Sequence, residues 1–159
     1  MIEFALIMPA LFALIFVQID LAFDIFIKAT LLQAARTGVR YGVTNRVDST
    51  VCPSGAQSLT TCVKEKVREA AGTLLSGGNG QINVIFKALD SSGNLNDVTS
   101  SGHANQGGNI MEVQVTGYSV PPLLPLIYFQ THAPVDKTPL TISVAAADRI
   151  EPTTTPPSQ

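Results

Sequence analysis

The chain has 159 residues, ten Lys and Arg against twelve Asp and Glu for a formal net charge of −2, and 45% hydrophobic residues. That length suits one globular domain with a modest core, and a near-neutral balance without a basic cluster excludes the phosphate-neutralising footprint of a nucleic-acid binder. With two His and two Cys in the whole chain, no constellation for catalysis, metal or cofactor binding is expected.

The chain opens on its most apolar stretch. Residues 4–19 are apolar except for Pro9 and Gln18, and a helical pattern continues through Asp20, Asp24, Lys28 and Arg36 to Tyr41. Crossing a bilayer takes roughly 20 mostly apolar residues, so the run must extend to Ile27 to span. That extension carries Asp20 and Asp24 near one boundary, where carboxylates are costly and usually paired. Asp24 precedes Lys28 by four residues, the favourable order for a helical ion pair. Pro9 would loosen the helix one turn back, which membrane helices tolerate. We divide the chain accordingly: residues 1–28 as the membrane half of the helix, 29–151 as the globular domain, 152–159 as a disordered Pro/Thr-rich tail.

Ala34, Gly38 and Gly42 recur at intervals of four and line one face of this helix. Small residues so spaced permit close backbone approach. Lying beyond the bilayer, they are expected to dock on the protein's own sheet, with Gly42 also fitting a helix end.

Cys52 and Cys62 follow in a Ser/Thr/Gly/Pro-rich loop. They suggest a disulfide and an oxidising compartment; two free thiols or a stray metal half-site are the alternatives, though no other Cys and no nearby His could complete a zinc set. Lys28, Arg36, Arg40 and Arg46 all follow the apolar block, which by charge alone would place the domain in the cytoplasm. The cysteines argue for the opposite side, and a basic leader before Met1 would reconcile the two.

Further along, Leu59, Val63, Val67, Ala70, Ala71 and Leu74 form one stripe of a second helix, residues 59–75, opposite Lys64, Glu65, Arg68 and Glu69. Thr60 or Thr61 can cap its start, and the Ser-Gly-Gly-Asn-Gly run at 76–80 stops it. Three alternating segments then read as strands: Ile82, Val84, Phe86; Met111, Val113, Val115; and Leu140, Ile142, Val144, Ala146. Residues 90–109 are expected to hold a hairpin about Ser92, Gly93 and Asn94 followed by a mobile loop. Pro121, Pro122 and Pro125 bar residues 123–129 from a central strand. Asp90 with the following Ser-Ser-Gly is a polar turn rather than a metal loop. His103 and His132 stand apart from any partner set. The sum is an α+β fold: a long N-terminal helix packed on a small antiparallel sheet of three or four strands, with a second short helix.

Three segments together resemble the TadE-like minor pilins, or pseudopilins, of the Tad (Flp) tight-adherence pilus system. IEFALIMPALFALIF resembles the family's Glu-Phe followed by an apolar, Pro-containing segment, with Glu3 in the pilin glutamate position. LLQAARTGVRYGV resembles its Ala-Ala-Arg-x-Gly-x-Arg-Tyr signature through Ala34, Ala35, Arg36, Gly38, Arg40 and Tyr41. LTISVAAADRIEP resembles its closing strand, ending in Arg149 and Glu151. The Gly after which the family's peptidase cuts has no counterpart before Glu3.

The resemblance implies a pilin-like fold, a bacterial inner-membrane pool with the domain in the periplasm, and later insertion into an extracellular filament. Its implied partners are other pilins, the inner membrane and the pilus assembly machinery. Glu3 could pair with a neighbouring chain's N-terminal amine in the assembled bundle, or sit at the headgroup level. A different class of function remains beside this one: a single-pass membrane-anchored binding or adhesion module whose loop at 97–108 recognises a surface ligand.

Overall fold

The computed structural model describes residues 2–44, 52, 58–120 and 140–152, with side chains of the first helix from Ile7 onward. That helix, α1, runs Ile2–Val43 as 42 continuous residues with Pro9 inside it, a length of about 63 Å. Its polar interior residues are absorbed locally: the hydroxyls of Thr30 and Thr37 donate to the carbonyls of Phe26 and Gln33, both at 2.9 Å. Gly42 lies within the helix, which ends one residue later at Val43, so packing rather than termination explains its glycine.

The second helix, α2, spans Leu59–Ala71. Its N-cap is Ser58, which makes no side-chain cap bond, rather than Thr60 or Thr61. It breaks at Gly72, where φ is 58°, and continues as a 3-10 turn over Gly72–Leu75. The tighter winding rotates the apolar stripe, so that Leu75 is buried while Leu74 is half-exposed and Ala70 faces solvent.

Four strands form one antiparallel sheet in the order β2-β1-β3-β4: β1 Gln81–Leu89, β2 Leu95–Asp97, β3 Ile110–Val120 and β4 Leu140–Arg149. All three expected strands are present, and Val84, Phe86, Met111, Val113, Val115, Ile142 and Val144 are buried on the helix-covered face. Leu140 departs from its stripe and is exposed, because it opens the edge strand at the end of the sheet.

In β3 the pairing shifts between Val115 and Tyr118, so Thr116 and Gly117 share one partner position. Gly117 takes φ 70°, as a bulge of this kind requires. The extra residue re-phases the strand and keeps Tyr118 and Val120 in the core.

The hairpin at Ser92, Gly93 and Asn94 forms as expected, with Asp90 N–H donating to Asn94 O at 2.9 Å. Beyond it, residues 98–109 are a chain of hydrogen-bonded turns rather than an open loop. Ala104 and Asn105 are buried there, and the Asn109 side chain donates to the carbonyls of His103 and Ala104. The Pro-rich segment 123–129 and the tail beyond Pro152 lie outside the described residues.

The second half of α1 lies across β3 and β4 with α2 beside it. The small-residue face touches α2 as well as the sheet: a Cβ on Gly38 would stand 2.3 Å from Val67 Cγ2, and one on Gly42 would stand 2.3 Å from Met111 Sδ. Neither position has room for a side chain, yet their neighbours differ. Val67 is stiff about χ1 whereas Met111 ends in a flexible thioether. Gly38→Ala is therefore expected to cost about 1–3 kcal/mol by overpacking, more than the ~1 kcal/mol gained in helix propensity, and Gly42→Ala less. Urea denaturation checks this, with Val67→Ala expected to rescue Gly38→Ala; equal costs at the two glycines would refute it.

Candidate functional site: the projecting helix and its docked base

Among the described residues, nothing in the domain covers the first half of α1. Ile7, Leu14, Ile25 and Phe26 are each at least 60% exposed, and only 6% of the most apolar window is buried. Burial starts at Ile27, 2% exposed, and continues through Leu31, Ala34, Ala35, Gly38 and Val39. Ile27 thus belongs to the core although it falls one residue inside the segment we assign to the membrane. From Ile7 to Phe26 the free helix is 20 residues, about 30 Å, the thickness of a bilayer's hydrocarbon core.

Asp20 and Asp24 are half-exposed and fall on the same helical face as Ile27, Leu31 and Gly38. The domain's docking stripe therefore runs on into the projecting half. Asp24 and Lys28 form no ion pair within 4.0 Å, so the helical order alone does not bring these side chains together. Phe12 and Phe16 stack one turn apart, ring centroids 6.2 Å. Glu3 lies in α1, but its side chain is outside the described ones.

At the other end of α1 the two internal motifs meet. Glu151 N–H donates to Val43 O at 3.0 Å, Ile150 is buried and its N–H donates to Asn109 O at 2.8 Å, and Arg149 Nε donates to Gly108 O at 3.1 Å. The Arg-x-Glu segment is thus a clasp that fixes the end of β4 to the end of α1. Arg36 and Arg40 are exposed, and Tyr41 is half-buried. This meeting of segments more than a hundred residues apart could not be read from either motif alone.

Cys52 and Cys62 are bridged, with Cα atoms 4.8 Å apart. Cys62 is fully buried in the first turns of α2, so the bridge ties the connection after α1 to the helix that packs beside it.

Of the polar sites weighed in the sequence, Asp90 accepts backbone N–H bonds from Ser92 and Asn94, each at 2.8 Å. The Asn94 bond foremost, with that from Ser92, holds its pKa below the usual carboxylate range. Its carboxylate thus serves the turn. His103 Nδ1 lies 3.1 Å from Gln106 Nε2 within the turn series; His132 lies outside the described residues.

On the solvent-facing side of the sheet, Glu112 on β3 pairs with Lys87 on β1 and accepts a bond from Gln114 Nε2 at 2.7 Å. The Lys87 bond first, then Gln114, lowers the pKa of Glu112.

A helix half buried in its own α+β domain and half bare, with the bare half long and apolar enough to cross a bilayer, fits a membrane-anchored protein. Residues 1–40 match the family model for TadE-like protein, a likeness over that segment that supports association with the Tad pilus. The match takes in Glu3 and the Ala34 to Arg40 part of the second motif; the β4 motif lies beyond it. No curated protein and no solved structure gives a significant match.

Two measurements probe the domain. Because the folded pKa of Glu112 is lowered, its contribution is fully present above the ordinary glutamate pKa and lost as pH falls through the folded value. Glu112→Gln should cost about 0.5–1 kcal/mol at pH 7, discounted for solvent screening at this partly exposed pair, and nothing near pH 2. A cost that persists unchanged at low pH would remove the carboxylate from the account. Removing the bridge by Cys52→Ser with Cys62→Ser should lower stability by about 2–3 kcal/mol, read as a drop in the urea midpoint at unchanged m-value.

Proposed function

We propose that this protein is a minor pilin of a Tad/Flp-type pilus, held in the bacterial inner membrane by the first half of α1 and carried with it into the filament. One observation supports this most: an apolar helix of bilayer length stands bare, and continues without a break into the core of the domain. An apolar surface of that size is unfavourable in water, whereas lipid satisfies it before assembly and neighbouring helices satisfy it afterwards. The Cys52–Cys62 bridge agrees with an oxidising compartment and hence with a periplasmic domain. The family match over residues 1–40 supplies the pilus context. Other pilins and the assembly machinery are the partners on this reading, and the role is structural rather than catalytic.

Two variants separate anchoring from assembly. Deleting residues 1–26 should release a folded, disulfide-bonded domain into the soluble fraction, since Ile27 and the docking stripe remain. Folded truncated protein still in the membrane would overturn the anchor. Glu3→Ala should leave the domain and its membrane abundance unchanged while reducing incorporation into sheared filaments, because truncating one partner of a buried charge pair costs about 2–5 kcal/mol. Wild-type incorporation would place Glu3 at the headgroup level and leave α1 an anchor without a registering charge.

A further inference from the structure

The clasp of Glu151 on Val43 gives α1 and β4 a common starting point. Both run back from it side by side, walling an open groove of about 490 Å³ lined by Arg36 and Arg40 of the helix and by Ala146 and Asp148 of the strand, among others. From Val43 back to Ile27, where burial ends, α1 covers about 24 Å. From Arg149 back to Thr141, β4 covers about 26 Å. The buried half of the helix is therefore as long as the sheet it lies on.

The other flank comes down to the same end. A Cβ on Gly42 would stand 2.9 Å from Val63 Cγ2 and one on Gly38 would stand 2.3 Å from Val67 Cγ2, so α2 runs opposite to α1 and its 3-10 turn leads toward the bare half. In the turn at 76–80 that follows, Asn79 Nδ2 donates to Ser119 O and Ser119 N–H donates to Asn79 Oδ1, both at 2.9 Å, and Ser119 pairs with Thr141. These residues mark the base of the domain, from which the bare helix leaves. Exposed there among the described residues are Thr73, Ser76, Gly77 and Gly78, all neutral.

Lys28 is the charge at this level. It is exposed, directly follows the onset of burial at Ile27, and forms no ion pair within 4.0 Å among the described residues. Asp24 and Asp20 lie one and two turns nearer the membrane, so a chain inserted deep enough to take Lys28 into hydrocarbon would carry two carboxylates with it. The insertion must stop short of that. Because Cα–Cβ bonds tilt toward a helix N-terminus, the Lys28 side chain reaches down α1 toward the bare half, and its long stem can hold the ammonium in the headgroup layer.

We infer that Lys28 binds the headgroup phosphates of the anchoring bilayer and sets the depth at which the neutral base of the domain rests on the membrane. The ligand is the phosphodiester of a membrane phospholipid. Arg36 and Arg40 stand about 12 and 18 Å further along the helix, beyond the Debye length of about 8 Å over which the surface attracts a cation. Since α1 is continuous through Ile27, a depth fixed at Lys28 is passed to the whole domain. The proposal rests on the membrane-anchored reading above.

The chain has no Trp of its own, and Phe26 is exposed, so Phe26→Trp gives a single probe in the full-length protein. Reconstituted into vesicles of phosphatidylethanolamine and phosphatidylglycerol, its quenching by lipids brominated on the acyl chain reads the depth of α1. Lys28→Glu should lower that quenching about twofold or more, while Lys28→Arg and Arg40→Gln keep the parent value. Contact itself is read by solid-state NMR on the chain labelled with nitrogen-15 lysine. One ammonium should be dephased by lipid phosphorus, and Lys28→Gln should abolish that dephasing; vesicles of a phosphate-free glycolipid with inorganic phosphate in the buffer should show none. Unchanged depth in Lys28→Glu, dephasing that survives Lys28→Gln, or dephasing by inorganic phosphate alone overturns the proposal. So does dephasing that appears only in Asp24→Asn, which would assign the ammonium to Asp24. Failure of the anchor looks different: the parent chain would not float with the vesicles, and the proposal would fall with it.

Discussion

The close approach of α1 to α2 and β3 at Gly38 and Gly42 is the constraint on which the rest of the architecture depends. With no Cβ at either position, Val67 and Met111 occupy space that any side chain would claim. The helix therefore lies deep enough for Ile27, Leu31, Ala35 and Val39 to complete a core built from α2 and the sheet. Fixing the second half of a continuous helix also sets the direction in which the first half leaves the domain. The bare half continues from the docked half without a break in the helix.

That rigidity has a further consequence at the end of β4. Val43, the last residue of α1, accepts the N–H of Glu151, and β4 runs back from there along the helix. Both ends of the chain's long elements are thus pinned in one place, with Arg149 and Ile150 joining the turn at Gly108 and Asn109 to the same point. The disulfide adds a second tie on the opposite flank, between the connection after α1 and α2. Such fixation couples the orientation of the domain to that of α1, because a mobile base would let the two reorient independently.

The polar features of the domain are local by comparison. Asp90 closes a turn, Asp97 accepts from Thr99 N–H at 2.8 Å, and Glu112 joins β1 to β3 on the solvent side. Each carboxylate has a lowered pKa, and each has a nearby hydrogen-bond donor as the leading cause. These are the charge-assisted contacts that shape hairpins and ladders. They lie on the sheet and its turns, away from the groove beside β4.

Much of the fold was legible in the sequence because period and composition report directly on burial. The apolar block before Ile27, the stripe from Leu59 to Val67 and the alternation at Val84, Met111 and Val144 each announce an element by its own pattern. The TadE-like resemblance rests likewise on contiguous residues, and it holds over residues 1–40. What only the tertiary structure decided were relations between distant segments. These are the packing of Gly38 on Val67, the bulge at Gly117 that returns Tyr118 to the core, the clasp of Glu151 on Val43, and the shift from Leu74 to Leu75 at Gly72. Each depends on the position of a surface contributed from elsewhere in the chain, and a one-dimensional pattern carries the preference of a residue for burial without naming the neighbour that buries it.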